Sequence, residues 1–177
     1  MLRPLAAAAR AAFTVVAGAA LIVPAAGIAN AQPGSLPIVA AQGYLDFDAR
    51  IGECVNLGGT EENATIERAA CGSPASNYVV IDKVSNSDEC IADIDGWYAE
   101  TLDDVQTGAL CLDYDWVIGG CMDMGADSPY RIACTEPAVE GVRVTAIVHS
   151  TSDLGACASG VGYQYTERNK VVCVEEF

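Results

Sequence analysis

Eight cysteines, at 54, 71, 90, 111, 121, 134, 157 and 173, constrain this 177-residue chain most, because they read as one set of four written twice. Cys54 and Cys121 are 67 residues apart, Cys71 and Cys134 63, Cys90 and Cys157 67, and Cys111 and Cys173 62. The neighbours repeat as well. Ile51-Gly52-Glu53-Cys54 faces Ile118-Gly119-Gly120-Cys121, and Ala70-Cys71-Gly72-Ser73-Pro74 faces Ala133-Cys134-Thr135-Glu136-Pro137. Tyr98 and Thr101 align with Tyr163 and Thr166, and Leu110-Cys111-Leu112-Asp113 with Val172-Cys173-Val174-Glu175. Four such coincidences in one order imply an internal duplication, with a first four-cysteine unit over 44–115 and a second over 116–177. Units this small bury little surface, so each is expected to rely on its bridges and on packing against the other.

An even number of cysteines in an exported chain reads as a disulfide framework. If the halves share one topology and exchange no bridge, three connectivities remain. The favoured one is consecutive: Cys54 with Cys71, Cys90 with Cys111, Cys121 with Cys134 and Cys157 with Cys173. Cys54 opens one strand-like run and Cys71 closes the next, so an antiparallel hairpin would bring them within bonding range. Loops of this length contribute on the order of 3 kcal/mol each.

The export expectation comes from residues 1–31. Arg3 and Arg10 precede an uncharged apolar stretch from Ala11 to Ala29, and Ala29-Asn30-Ala31 supplies the small residues of a signal-peptidase site. The cut is expected between Ala31 and Gln32. Pro24 and the alanine-rich composition argue against an uncleaved anchor. No cysteine adjoins the cut to carry a lipid, and the two arginines are not adjacent, which favours Sec-type export over the twin-arginine route. Residues 32–43, with Pro33, Gly34, Ser35, Pro37 and Gly43, read as a linker, and no later stretch is apolar enough to span a membrane.

The remainder reads as all-β, two tandem disulfide-stapled modules with room for one short helix in each. β-branched and aromatic residues recur between Gly, Asn, Asp and Ser clusters. Strands are expected near 51–57, 65–71, 77–84, 97–102 and 109–114, then near 118–124, 130–134, 140–149, 161–167 and 170–175. The clearest alternation puts Val142, Val144, Ala146 and Val148 on one face, and Arg143, Thr145, Ile147 and His149 on the other. A short helix could form near Cys90 to Trp97, limited by Asp93, Asp95 and Gly96. Nine residues separate Cys111 from Cys121, so the units should touch, with Trp116 in the junction as a core or interface aromatic.

From Gln32 onward the chain holds 24 acidic against 7 basic side chains, a net charge of −17. Such a surface repels nucleic acid and anionic lipid. With one histidine, no C-x-x-C pair, no P-loop and no H-E-x-x-H, the chain gives no basis for a cofactor, a metal site or a catalytic residue. His149-Ser150-Thr151-Ser152-Asp153 holds the residue types of a serine hydrolase, but a triad is assembled from distant segments and no G-x-S-x-G accompanies it. The pairs Asp93/Asp95, Asp103/Asp104, Asp113/Asp115 and Asp123/Asp127 could offer oxygens to Ca²⁺, yet none fits the EF-hand pattern and solubility explains them equally. Asn63-Ala64-Thr65 is formally a glycosylation sequon.

The pattern Gly52-Glu53-Cys54-Val55-Asn56-Leu57, then Ala70-Cys71-Gly72-Ser73-Pro74 with Asn77-Tyr78-Val79-Val80 following, then Cys90 and a closing Leu110-Cys111-Leu112-Asp113, resembles the LppU-like family of exported actinobacterial proteins. It is similar, more loosely, to septum-formation modules. Gly119-Gly120-Cys121 and Cys134-Thr135-Glu136-Pro137 carry a weaker second match, so the resemblance covers about 51–175. The chain departs from it in lacking a lipid-bearing cysteine and a histidine after Pro74 or Pro137. The resemblance implies location and architecture, with no activity attached. The expected function is that of a secreted, non-enzymatic binding module acting on a protein or envelope polymer. The alternatives are a small hydrolase using acidic residues, with His149 an outside candidate, and a rigid protease-inhibitor-like scaffold.

Overall fold

The glycines that precede Cys54 and Cys121 decide where each unit begins. Gly52 and Gly119 take φ of 87° and 82°, a left-handed turn open to glycine. In both units that turn hydrogen-bonds to a strand further along. The Gly52 amide donates to the Val80 carbonyl and the Val80 amide to that of Glu53; the Gly119 amide donates to Val144 and the Val144 amide to Gly120. Pairing therefore starts at the cysteines, three residues later than the sequence suggests.

The computed structural model describes residues 43–60 and 63–177. The export segment 1–31 and most of the linker lie outside them. The first unit holds β1 (Cys54–Thr60), β2 (Asn63–Ala69), β3 (Tyr78–Val84), β4 (Gly96–Leu102) and β5 (Val105–Tyr114). The second holds β6 (Cys121–Asp123), β7 (Tyr130–Ile132), β8 (Gly141–His149), β9 (Gly162–Tyr165) and β10 (Lys170–Glu176). All pairs are antiparallel, in the orders β2-β1-β3-β5-β4 and β7-β6-β8-β10-β9. The two orders are the same. The chain is thus all-β, as expected, in two disulfide-stapled sheets.

The helix expected near Cys90 to Trp97 is absent. Each unit has instead a single 3₁₀ turn just before a cysteine, Ser87–Glu89 before Cys90 and Leu154–Ala156 before Cys157. Asn86 and Asp153 cap these turns by accepting from the amides of Asp88 and Gly155. The bridge then pulls each cysteine into extended backbone, so neither turn continues. The disulfides join Cys54–Cys71, Cys90–Cys111, Cys121–Cys134 and Cys157–Cys173, with Cα atoms 5.1 to 5.7 Å apart and no free cysteine. This is the consecutive connectivity, and all four bridges lie within units.

The expected alternation along β8 is broken. Val144 opposes Val174 and Ala146 opposes Cys173, which leaves Thr145 unpaired in a β-bulge. Beyond the bulge the faces exchange. Val142 and Val144 pack with Met122, Tyr165, Val172 and Val174, and Ile147 joins them, while Ala146 and Val148 pack on the other side with Cys157, Val171 and Cys173. A bulge sits at the matching place in the first sheet, where Ile81 lies between Val80, opposite Leu112, and Asp82, opposite Cys111. The first core comprises Val55, Tyr78, Val80, Leu110 and Leu112, covered by Leu45 and Ala49 of the segment before β1. Burying each such aliphatic side chain contributes about 1.5–3 kcal/mol.

Candidate functional site

The acidic pairs noted in the sequence have separate employments. Asp103 and Asp104, both at positive φ (51° and 63°), form the two-residue turn from β4 to β5. Asp123 is buried and accepts from the amides of Gly125, Val139 and Glu140 and from the Tyr130 hydroxyl. Those amides, Glu140 first, hold its carboxyl down at about 2. Its sequence neighbour Asp127 is exposed in the following loop.

Of the other four carboxylates, Asp93, Asp113 and Asp115 meet cations of the second unit, and Asp95 meets the Tyr165 hydroxyl. Arg168 Nε donates to Asp93 Oδ1 at 2.9 Å, its Nη2 to the Asp93 carbonyl at 2.6 Å, and its Nη1 to Asp113 Oδ2 at 2.6 Å. Lys170 Nζ donates to the same Asp113 oxygen at 2.7 Å. Both cations lie over the Tyr165 ring, 4.7 and 3.8 Å from its centre. Asp113 is nearly inaccessible and its Oδ1 has no partner among the described residues, so removing either cation would leave charge stranded. Arg131 donates to the Asp115 carboxylate and carbonyl and to the Ser73 carbonyl; Asp115 Oδ2 also accepts from the Gly72 amide and the Ser76 hydroxyl. The carboxylate of Asp115 lies within 4.8 Å of the sulfurs of Cys54 and Cys71, but the disulfide occupies both sulfurs.

Trp116 completes the junction, as an interface aromatic. Its indole Nε1 donates to the Tyr165 hydroxyl at 2.7 Å, and that hydroxyl donates to Asp95 Oδ2 at 2.6 Å. Its ring packs on Tyr114 and Tyr163, with centroids 5.2 and 4.8 Å away. Burial first, then the Asp95 charge, drives the Tyr165 phenol far above its ordinary value, so it stays a donor at all working pH values.

Asp95 faces two ways. One oxygen serves this junction, accepting from Tyr165 and, at 2.8 Å, from the Tyr114 amide. The other, Oδ1, has no hydrogen-bond partner among the described residues, and Asp95 lines a half-open cleft of about 480 Å³. The cleft lies between Leu57–Thr60 of β1 with Ala64 of β2 on one side and strand β4 on the other. Pairing of β1 with β3 ends at Val55, after which the Asn77 side chain bridges to the Leu57 backbone and Gly58–Thr60 pair with β2 alone. Tyr78 and Tyr98 contribute rings, Trp97 borders the cleft from β4 with its side chain alternating to the opposite face from Gly96 and Tyr98, and Asp127 of the second unit stands at the rim. Trp97 is 48% exposed. Burial pushes the Asp95 carboxyl up to about 6, against the opposing hydrogen bonds from Tyr165 and Tyr114. Burial likewise raises the Tyr78 and Tyr98 phenols to about 12.

The run 149–153 does not assemble a triad. His149 is exposed at the end of β8 and makes no hydrogen bond among the described residues. Asp153 caps its 3₁₀ turn, Thr151 Oγ1 accepts from the Asp153 amide, and the Ser152 carbonyl accepts from Gln164. Asn63 of the sequon opens β2 and is exposed.

No family model, no curated protein and no solved structure matches this chain. The four disulfides point to an oxidising compartment, and no helix among the described residues is long and apolar enough to cross a membrane.

Sequence reasoning missed Asp95, Trp97 and Tyr98 as one site, and Arg131, Arg168 and Lys170 as clamps. One signal was present. Residues 44–115 hold 16 acids and 3 bases, whereas 116–177 hold 8 and 4, an asymmetry that invites pairing between the units.

Proposed function

We propose that this chain is an exported, non-enzymatic binding protein of the bacterial envelope or medium, with the Asp95–Trp97–Tyr98 cleft as its recognition site. The observation that carries the reading is Trp97, a large aromatic left half in solvent on an edge strand, at the mouth of a cleft that also offers an unpartnered carboxylate oxygen. Exposed aromatics beside concave surfaces are the usual anchors of recognition. The cleft wall is also preorganised. Trp97 opposes Cys111 in the β4–β5 ladder, and the Cys90–Cys111 bridge ties the segment before β4 to that position.

In this reading export proceeds through residues 1–31 with cleavage before Gln32 and no lipid attached, so intact mass of the secreted species should match Gln32–Phe177. The duplication supplies the two units, for which the matched strand orders, bulges, capped turns and bridges are the support. The LppU-like resemblance of Gly52–Leu57 and Ala70–Pro74 agrees with an envelope role. The test is capture from envelope extracts with the oxidised protein, wild type against Trp97→Ala. Loss of the captured partner in the variant supports the reading, and undiminished capture refutes it.

A second reading rests on Asp95 itself, whose carboxyl near 6 suits a general acid in a small hydrolase. Turnover in an esterase, peptidase and glycosidase screen, abolished by Asp95→Asn, would favour it over the binder.

A further inference from the structure

The first cleft has a counterpart. Met124, Val142 and Tyr163 occupy, in the second sheet, the register positions of Leu57, Tyr78 and Tyr98 in the first. They line a second half-open cleft of about 500 Å³, together with Glu140, Glu176 and Phe177. Phe177 is 54% exposed. The carboxylates of Glu140 and Glu176 accept no hydrogen bond among the described residues, like Asp95 Oδ1. Each cleft adjoins an edge strand, β4 in one unit and β9 in the other. A short chain of rings runs between them, from Tyr78 to Tyr114 with centroids 5.2 Å apart and from Tyr114 to Tyr163 at 6.2 Å.

We propose that the two clefts are paired subsites for one extended basic peptide segment, each taking a lysine or arginine side chain. This inference rests on the binding reading and names its ligand class. The chemistry is complementary at every point. The cationic head would donate to the free carboxylate oxygens, Asp95 Oδ1 in the first cleft and Glu140 or Glu176 in the second. Its aliphatic stem would lie against Tyr98 or Tyr163, which hold equivalent register positions, where ring faces attract cations and apolar methylenes alike. The rest of the molecule reinforces both, since the net charge of the full chain is −15 and the clamping cations Arg131, Arg168 and Lys170 are already paired at the junction. Proximity of the clefts makes the second contact intramolecular once the first has formed.

The test uses the oxidised full-length exported protein and three probes. These are a capped hexapeptide alternating lysine and alanine, the same peptide with every lysine Nε-acetylated, and N-acetyl-lysine amide. Isothermal titration should show the hexapeptide binding at least about tenfold more tightly than the single lysine derivative. Acetylation should abolish binding, and raising salt should weaken it. Asp95→Asn in the first cleft and the double substitution Glu140→Gln, Glu176→Gln in the second should each reduce the hexapeptide to the affinity of the single lysine. Equal binding of the acetylated peptide, no binding, or indifference to both variants would overturn the proposal. If the hexapeptide fails while capture from envelope extracts still depends on Trp97, only the basic-peptide assignment falls; if capture is also indifferent to Trp97, the binding reading falls with it.

Discussion

Replacing Asp95 by Asn tests whether the carboxylate is held in its place against its own charge. The substitution keeps the shape. The amide oxygen can still accept from the Tyr165 hydroxyl and the Tyr114 amide, and the amide nitrogen takes the cleft-facing position that has no partner. What disappears is the titration. In the folded protein the carboxyl sits at about 6 against an ordinary value of 3.8, chiefly because burial disfavours the ionised form. A difference of that size corresponds to at most about 3 kcal/mol, reduced by the partial exposure of the cleft. Below the unfolded value both states hold the proton and the group is neutral to stability. Between the two values the native state binds the proton more tightly than the unfolded chain does, so this stabilisation relative to the ionised form is lost as pH rises through the folded value. Asp95→Asn should therefore match the wild type near pH 3.5 and exceed it at pH 7 by up to about 3 kcal/mol, with the gap opening between about pH 4 and 6. Urea denaturation with the disulfides intact, repeated at half-unit pH steps for both proteins, measures the gap directly. A gap that is flat with pH, or one that favours the wild type at pH 7, would refute the assignment.

The remaining expectations concern the frame around the cleft. Arg168→Met should destabilise by about 3–5 kcal/mol in denaturant, because it leaves Asp93 uncompensated and Asp113 with Lys170 alone. Removing the Cys90–Cys111 bridge by a double serine substitution should cost about 3 kcal/mol, and non-reducing peptide mapping of the wild type should return the four consecutive pairs with no free thiol. Trp116→Phe should lose about 1 kcal/mol with the hydrogen bond to Tyr165, read as a lowered denaturation midpoint. His149→Ala should change stability by less than about 0.5 kcal/mol, as an exposed strand end allows; a larger loss would mean that the imidazole has a partner.

Much of the fold was legible because its determinants are local. Cysteine spacing, β-branched runs and clusters of Gly, Asn and Asp fix where strands begin and turn, and hairpin geometry fixes which cysteines meet. The bulge at Thr145 was not legible. Thr145 has much the same strand preference as Val144, and only the pairing of Val144 with Val174 and of Ala146 with Cys173 shows that one residue is extra. The helix expected after Cys90 failed for a related reason, since Asp93 and Asp95 serve partners in the other unit. Arg168 lies 75 residues from Asp93, and Tyr165 lies 70 from Asp95, beyond the reach of any pattern in a window of sequence. The cleft depends on the same kind of information, because the end of β1–β3 pairing at Val55 leaves Leu57 and Trp97 around one space.

Recognition at the mouth of the first cleft can be read directly, because the chain provides its own control. It has two tryptophans: Trp97, half exposed at that mouth, and Trp116, whose indole nitrogen is engaged by Tyr165. Each should give one indole N–H resonance in a ¹H–¹⁵N spectrum of the oxidised protein. On addition of the partner purified by capture from envelope extracts, the Trp97 resonance should shift or broaden through the titration while that of Trp116 holds its position. Saturable binding that leaves Trp97 unmoved would contradict it.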